Sequence, residues 1–144
     1  MSIAILYATV TGNAEALALW AGHRLRAAGR VVAVYDVAEF PAARLAEVST
    51  ALIIASTWGE GAPPPDAEDF CAALAQAGHL RLAHLRYAVF ALGSSTYKEF
   101  CGCGRRIDAD LARCAAARLL PCAESGTRFK APFERWLAQL ETRL

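Results

Sequence analysis

The chain has 144 residues, 56% of them hydrophobic and 20% charged, with a formal net charge of +1. That length suits one domain, residues 1–144, with a full core. The near-zero charge excludes a strong field for nucleic acid or an anionic membrane. No basic-then-apolar leader precedes the first element, and no apolar run is long enough to span a bilayer, so a cytoplasmic protein is expected. The five cysteines, Cys71, Cys101, Cys103, Cys114 and Cys122, are odd in number and scattered, which reads as reduced thiols. Cys101-Gly-Cys103 has half the spacing of a metal site, but no second pair follows, so no metal is expected.

Ile3–Ala8 is a short, apolar, partly β-branched run and reads as a buried strand. The turn Thr9-Val10-Thr11-Gly12-Asn13 follows. A helical pattern then begins at once, with Ala14, Leu17, Ala18, Ala21, Leu25 and Ala28 on one face and Gly29 past its end. A strand, a tight turn and a helix in immediate succession leave unpaired N–H groups at a helix N-terminus, where an anion is favoured. Thr9, Thr11 and Asn13 add neutral donors, and Gly12 permits close backbone approach. The turn contains no Lys or Arg and neither G-x-x-x-x-G-K-[ST] nor G-x-G-x-x-G. A phosphate monoester that is held but not transferred fits such a turn. The alternative is that Thr and Asn only cap the helix.

Further along, Val31–Tyr35 reads as a second strand and Ala51–Ala55 as a third, the latter continuously apolar and so buried on both faces. Asp36–Leu45 between them reads as a loop with a helical turn. The loop Ser56-Thr57-Trp58-Gly59-Glu60-Gly61-Ala62 and a triple proline lead to a helix, with Asp66 expected as its N-cap, Phe70, Cys71 and Leu74 inward and Gly78 as its stop. Tyr87–Leu92 is a fourth strand, followed by Gly93-Ser94-Ser95-Thr96-Tyr97. A helix from about Gly104 turns Ile107, Leu111, Cys114 and Ala115 inward and Asp108, Asp110 and Arg113 outward. Arg118–Cys122 reads as a fifth strand, at an edge because Pro121 lacks an N–H. The last helix uses Phe133, Trp136, Leu137, Leu140 and Leu144. Strands alternating with helices require crossovers and hence a parallel sheet covered on both faces. The three polar, glycine-bearing loops then share the C-terminal edge, where ligands of such sheets bind.

Trp58 and Tyr97, beside Gly59 and Gly93, offer two rings for stacking a flat heterocycle; singly, either is equally a rim residue or a helix-entry contact. A phosphate at one end and a flat ring at the other fits flavin mononucleotide, FMN. On these residues the chain resembles the flavodoxin-like FMN proteins. It is most similar to the FMN domain of diflavin reductases of the sulfite reductase flavoprotein type, and to small MioC-type flavodoxins. Thr9-Val10-Thr11-Gly12-Asn13-Ala14 resembles the phosphate loop, and Ser56-Thr57-Trp58-Gly59 the second flavin loop. Leu92-Gly93-Ser94-Ser95-Thr96-Tyr97-Lys98-Glu99-Phe100-Cys101 resembles the third. Glu124 stands where the family often carries an acidic cluster, followed by the bases Arg128 and Lys130.

The resemblance implies a doubly wound five-stranded parallel sheet of order 2-1-3-4-5 and one non-covalent FMN, with FAD disfavoured. It implies an electron carrier and no catalytic residue of its own. It also implies a monomer that takes electrons from a separate NAD(P)H-dependent flavoprotein reductase, since no reductase module follows, and gives them to an unknown redox protein. Glu60, Asp66, Glu68, Asp69 and Glu99 would repel a fully reduced anionic flavin or dock a basic partner, while Arg128 and Lys130 would act the other way. Two other readings stand beside it. One is a flavin enzyme reducing a small substrate, for which His23, His79 and His84 lie away from the loops. The other is a flavin-free interaction module of the same fold.

Overall fold

The computed structural model describes residues 2–9, 12–57, 64–76, 81–93 and 101–144, with the side chains of Ser2 and Asp66 excepted. Four strands carry the sheet: β1 (Ser2–Ala8), β2 (Val31–Asp36), β3 (Thr50–Ser56) and β4 (Arg86–Leu92). Two short strands, β5 (Ala117–Arg118) and β6 (Ala123–Ser125), complete it. The helices are α1 (Asn13–Ala27), α2 (Glu68–Ala75), α3 (Gly102–Arg113) and α4 (Lys130–Glu141). All pairings are parallel and the order is β2-β1-β3-β4-β5, with β6 also on β4. The doubly wound topology expected from the alternation is therefore present.

Each sheet face buries one core. Ile5, Leu52, Ile54, Ala88 and Phe90 point to the face covered by α1 and α4, where Phe133, Trp136 and Leu137 complete the packing. Leu6, Ile53, Ala55, Tyr87 and Val89 point to the face of α2 and α3, with Phe70, Leu74, Ile107 and Leu111. The split follows the period of two along each strand. On α1 every expected inward residue is buried except Ala28, which lies just past the helix. There Gly29, at φ 87°, ends the helix, and the Arg30 N–H reaches back to the Leu25 carbonyl.

Four expectations need correction. The fifth strand is not the continuous run 118–122; it is two pieces, β5 and β6, around an interruption that contains Pro121, which has no N–H to give to β4. Asp66 does not hold the cap position of α2. A 3-10 turn over Pro65–Ala67 precedes that helix, and Ala67, which holds the cap position, makes no side-chain cap bond. The helix ends at Ala75, and Gly78 lies outside the described residues. Asp108 is turned inward, 9% exposed, because Arg118 of β5 donates to both of its oxygens at 3.0 and 2.7 Å. Ala115, expected in the core, is exposed at φ 70° just beyond α3, and the Ala116 N–H closes back on the Leu111 carbonyl.

Candidate functional site

Strand register brings the loops to one line. Ala8 pairs with Ala55, Ala55 with Ala91 and Ala91 with Glu124, so β1, β3, β4 and β6 present one row at the C-terminal edge of the sheet. Thr9, Ser56, Leu92 and Ser125 open the next row. The small Ala91 of the first row lets helix α3 come close. A methyl at Gly104 would lie 2.3 Å from the Ala91 Cβ, so only glycine allows this approach.

At the first loop the Gly12 N–H donates to the Thr9 hydroxyl oxygen at 2.9 Å. Gly12 sits at the cap of α1 with φ 90° and, as a glycine, brings no side-chain cap of its own. The first turn of a helix presents backbone N–H groups to an acceptor in front of it. Among the described residues a Cβ at Gly12 would meet nothing within 4 Å. Asn13 is exposed beside it. Ala14 is buried in the core, so only its backbone can serve a ligand. Glu15 accepts from the Tyr7 hydroxyl at 3.2 Å, and burial, with Glu15 second, pushes the Tyr7 phenol up to about 12. Val10 and Thr11 lie outside the described residues.

At the second loop Ser56 and Thr57 are half-buried, and the Cys103 N–H of α3 donates to the Thr57 hydroxyl oxygen at 3.2 Å. Thr57 therefore caps, from a distant part of the chain, a helix whose own cap residue contributes no side-chain bond. Trp58 and Gly59 lie outside the described residues. At the third loop Leu92 is buried in the α1/α4 core, and the Gly93 N–H donates to the Ser125 carbonyl at 3.0 Å. A methyl at Gly93 would lie 2.7 Å from the Cys101 nitrogen, so the loop's start and end meet across a position without a side chain. Cys101 holds φ 57°, and its thiol faces the carbonyls of Ala91 at 3.4 Å and Ser125 at 3.7 Å. Its side chain is thus committed inward, and burial pushes the thiol up to about 11. Ser94, Ser95, Thr96, Tyr97, Lys98, Glu99 and Phe100 lie outside the described residues.

Glu124 has a partner that sequence reasoning missed. Arg105, in the first turn of α3, donates to both of its oxygens at 2.5 and 2.7 Å. The guanidinium holds the carboxyl below its usual range. The acid at the family's acidic position is therefore neutralised by a neighbour 19 residues away, a separation with no local signature. Lys130 lines, with Asn13, Leu17, Trp20 and Phe129, a groove of ≈ 430 Å³ between the starts of α1 and α4. Among the described residues no group of His, Cys, Asp and Glu is arranged to hold a metal ion. Among them no helix is long and apolar enough to cross a membrane.

The described residues fit FMN: a helix start behind Gly12 at the end of β1, and the ends of β3 and β4 in register beside it. Comparison with known proteins agrees. The flavodoxin family profile matches residues 5–136. The sulfite reductase [NADPH] flavoprotein alpha-component of Bacillus subtilis is 36% identical over 135 residues, covering 94% of this chain and 22% of its own length. The same component from Thiocapsa roseopersicina is 35% identical over 142 residues, covering 99% of this chain and 27% of its own. The chain thus spans about a quarter of these relatives. A solved flavodoxin from Pseudomonas aeruginosa superposes with a TM-score of 0.85 at 27% identity, covering 100% of this chain and 99% of that one. With 132 of its residues, 5–136, inside the profile, the chain belongs to the flavodoxin family, and its cofactor is FMN.

Proposed function

We propose that the chain is an electron-transfer domain holding FMN across the row Ala8–Ala55–Ala91–Glu124. The phosphate lies on Thr9, Val10, Thr11, Gly12, Asn13 and the Ala14 backbone. The ring lies between Ser56-Thr57-Trp58-Gly59 and the loop Leu92–Cys101. The observation that carries this reading is the register, which sets three loop-bearing strand ends side by side beyond one edge. Bound FMN supplies the redox chemistry, exchanging electrons one or two at a time.

The protein's own residues bind and orient. The first turn of α1 offers N–H donors and a positive dipole end to the phosphate, and Lys130 adds a full charge from the side. Gly93, having no side chain, lets the Cys101 backbone come close to the end of β4. Arg105 cancels the charge of Glu124 close to the edge. The donor is an NAD(P)H-dependent flavoprotein reductase and the acceptor a further redox protein. Relatives that are flavoprotein components of NADPH sulfite reductase support a reductase relationship of this kind.

Titration with FMN and with riboflavin tests the site. FMN is expected to bind at least about tenfold more tightly, since riboflavin leaves the α1 donors without an acceptor. Equal affinity would remove the phosphate site. NADPH should reduce the FMN-loaded protein only when a flavoprotein reductase is added. Rapid NADPH oxidation by the protein alone would favour a flavin enzyme instead of a carrier.

A further inference from the structure

Charge divides along the C-terminal edge of the sheet. At the β2 end, Asp36 closes the strand opposite Tyr7, whose hydroxyl donates to Glu15. An exposed Glu39 ends the 3-10 turn Val37–Glu39 that follows. Against that turn packs α2, with Glu68 and Asp69 exposed in its first turn. At the opposite end, β6 runs beside β4, and Glu124 pairs in register with Ala91. There the sign is reversed. Arg105 and Arg106 are both exposed in the first turn of α3, and Arg128 is exposed in the segment after β6. That segment stays at the edge, since a methyl at Gly126 would lie 3.9 Å from the Gly93 carbonyl. The guanidinium of Arg105 already holds both oxygens of Glu124. The pair stands at the surface, with the Arg105 side chain 50% exposed and that of Glu124 31%. The acids further along α3 are engaged as well, Asp108 by Arg118 and Asp110 by Arg113. Among the described residues, neither Arg106 nor Arg128 has an acidic partner of this kind.

We propose that the basic corner made by the start of α3 and the end of β6 is the docking surface for a redox protein that surrounds its own electron-carrying centre with carboxylates. Such a partner meets Arg106 and Arg128 at this corner, where the one carboxylate described, Glu124, is already neutralised. At the far end of the edge it is repelled by Glu39, Glu68 and Asp69. Attraction at one end and repulsion at the other turn it onto the β4/β6 half, over the strand end that leads into the third loop. Steering of this kind acts before contact and shows as fast, salt-sensitive association. That docking here serves electron transfer rests on the FMN site proposed above; the charge division itself does not.

Two haem proteins of opposite rim charge test this: cytochrome b5, ringed with carboxylates, and cytochrome c, ringed with lysines. The FMN-loaded chain is reduced anaerobically with light and a deazaflavin, then mixed with either ferric protein in a stopped-flow instrument. One electron passes to each ferric haem, which becomes ferrous. The second-order rate with cytochrome b5 should fall on the order of tenfold as salt rises from low to physiological ionic strength, and the rate with cytochrome c should not fall. Arg106→Glu combined with Arg128→Glu should lower the low-salt cytochrome b5 rate on the order of tenfold and remove its salt dependence, with FMN affinity unchanged. Glu68→Gln combined with Asp69→Gln should not lower that rate. A salt-independent cytochrome b5 rate, a double arginine variant as fast as its parent, or a cytochrome c rate that falls with salt overturns the proposal. The chain without FMN gives an independent readout. Ferric cytochrome b5 should shift the amide NMR signals of Arg105, Arg106 and Arg128 and leave those of Glu39 and Glu68 in place; the reverse pattern overturns the docking surface. If the chain takes up no FMN, the cofactor reading fails, and the amide map alone decides the docking surface.

Discussion

The two faces of the sheet are built from different materials. On the α1/α4 side, Phe133 meets Phe90 edge-on with centroids 5.0 Å apart, and Trp20 and Trp136 lie at 5.5 and 5.4 Å from it. On the α2/α3 side Phe40, Phe70 and Tyr87 sit among aliphatic residues, together with Cys71, Cys103, Cys114 and Cys122. Large rings bury much area in few residues and fix one packing. Thiols are small and reactive, and they let helices sit close. The α1/α4 face thus gathers its rings into one mutually touching cluster, and the α2/α3 face carries the thiols.

The sharpest way to break the contrast is truncation. Phe133→Ala removes the ring at the centre of the aromatic cluster and should cost about 3–5 kcal/mol in denaturant unfolding. Cys114→Ala on the opposite face removes one buried sulfur and should cost ~1 kcal/mol. Equal losses would mean that the faces share the load.

Alkaline pH separates the faces next. Free thiols in an unfolded chain ionise near 9.0, whereas burial holds Cys101 up to about 11 and Cys122 up to about 12. The folded protein therefore binds more protons above pH 9. The stability linked to these thiols is complete below that value and is lost as pH rises through 11. Near pH 9 the loss should come mainly from the cysteines, and Tyr7 and Tyr87, whose phenols burial holds up to about 12, add to it as the pH approaches 10. A fall in Tm over this interval, reduced in Cys122→Ala, is the expected result.

The smallest effect compares the two helix ends. α1 and α3 close with the same backbone turn, but α1 uses Gly29 at φ 87° and α3 uses Ala115 at φ 70°. Ala115 is exposed and gains nothing from its methyl. Ala115→Gly should stabilise the protein by about 0.5–1 kcal/mol, and Gly29→Ala should do the reverse.

These particulars also show what sequence can convey. β1, β3 and β4 were legible because strands buried on both faces are unbroken apolar runs, and α1 because its inward residues keep helical spacing up to Gly29. The turn between β1 and α1 was legible because strand, turn and helix are contiguous. Asp108 was read as outward from spacing alone, since nothing local announces Arg118 as its partner. Arg105 was missed for the same reason: its match to Glu124 exists only once α3 lies against β6. The start of α2 was misread because Asp66 is a good cap by type, while the prolines before it favour a 3-10 turn.

The interrupted fifth strand bears on how the molecule avoids its own copies. A long, regular sheet edge offers unpaired N–H and C=O groups to another chain and invites edge-to-edge aggregation. On the β5/β6 side that template is cut into pieces of two and three residues, with Pro121 between them. The other edge, β2, runs unbroken for six residues and exposes Val31 at 67%. Arg26 covers the Val32 carbonyl there with two N–H donors, at 3.3 and 3.0 Å. Protection against self-association is thus built into the backbone at one edge and rests on a side chain at the other. Loss of Arg26 is where unwanted pairing between molecules would begin.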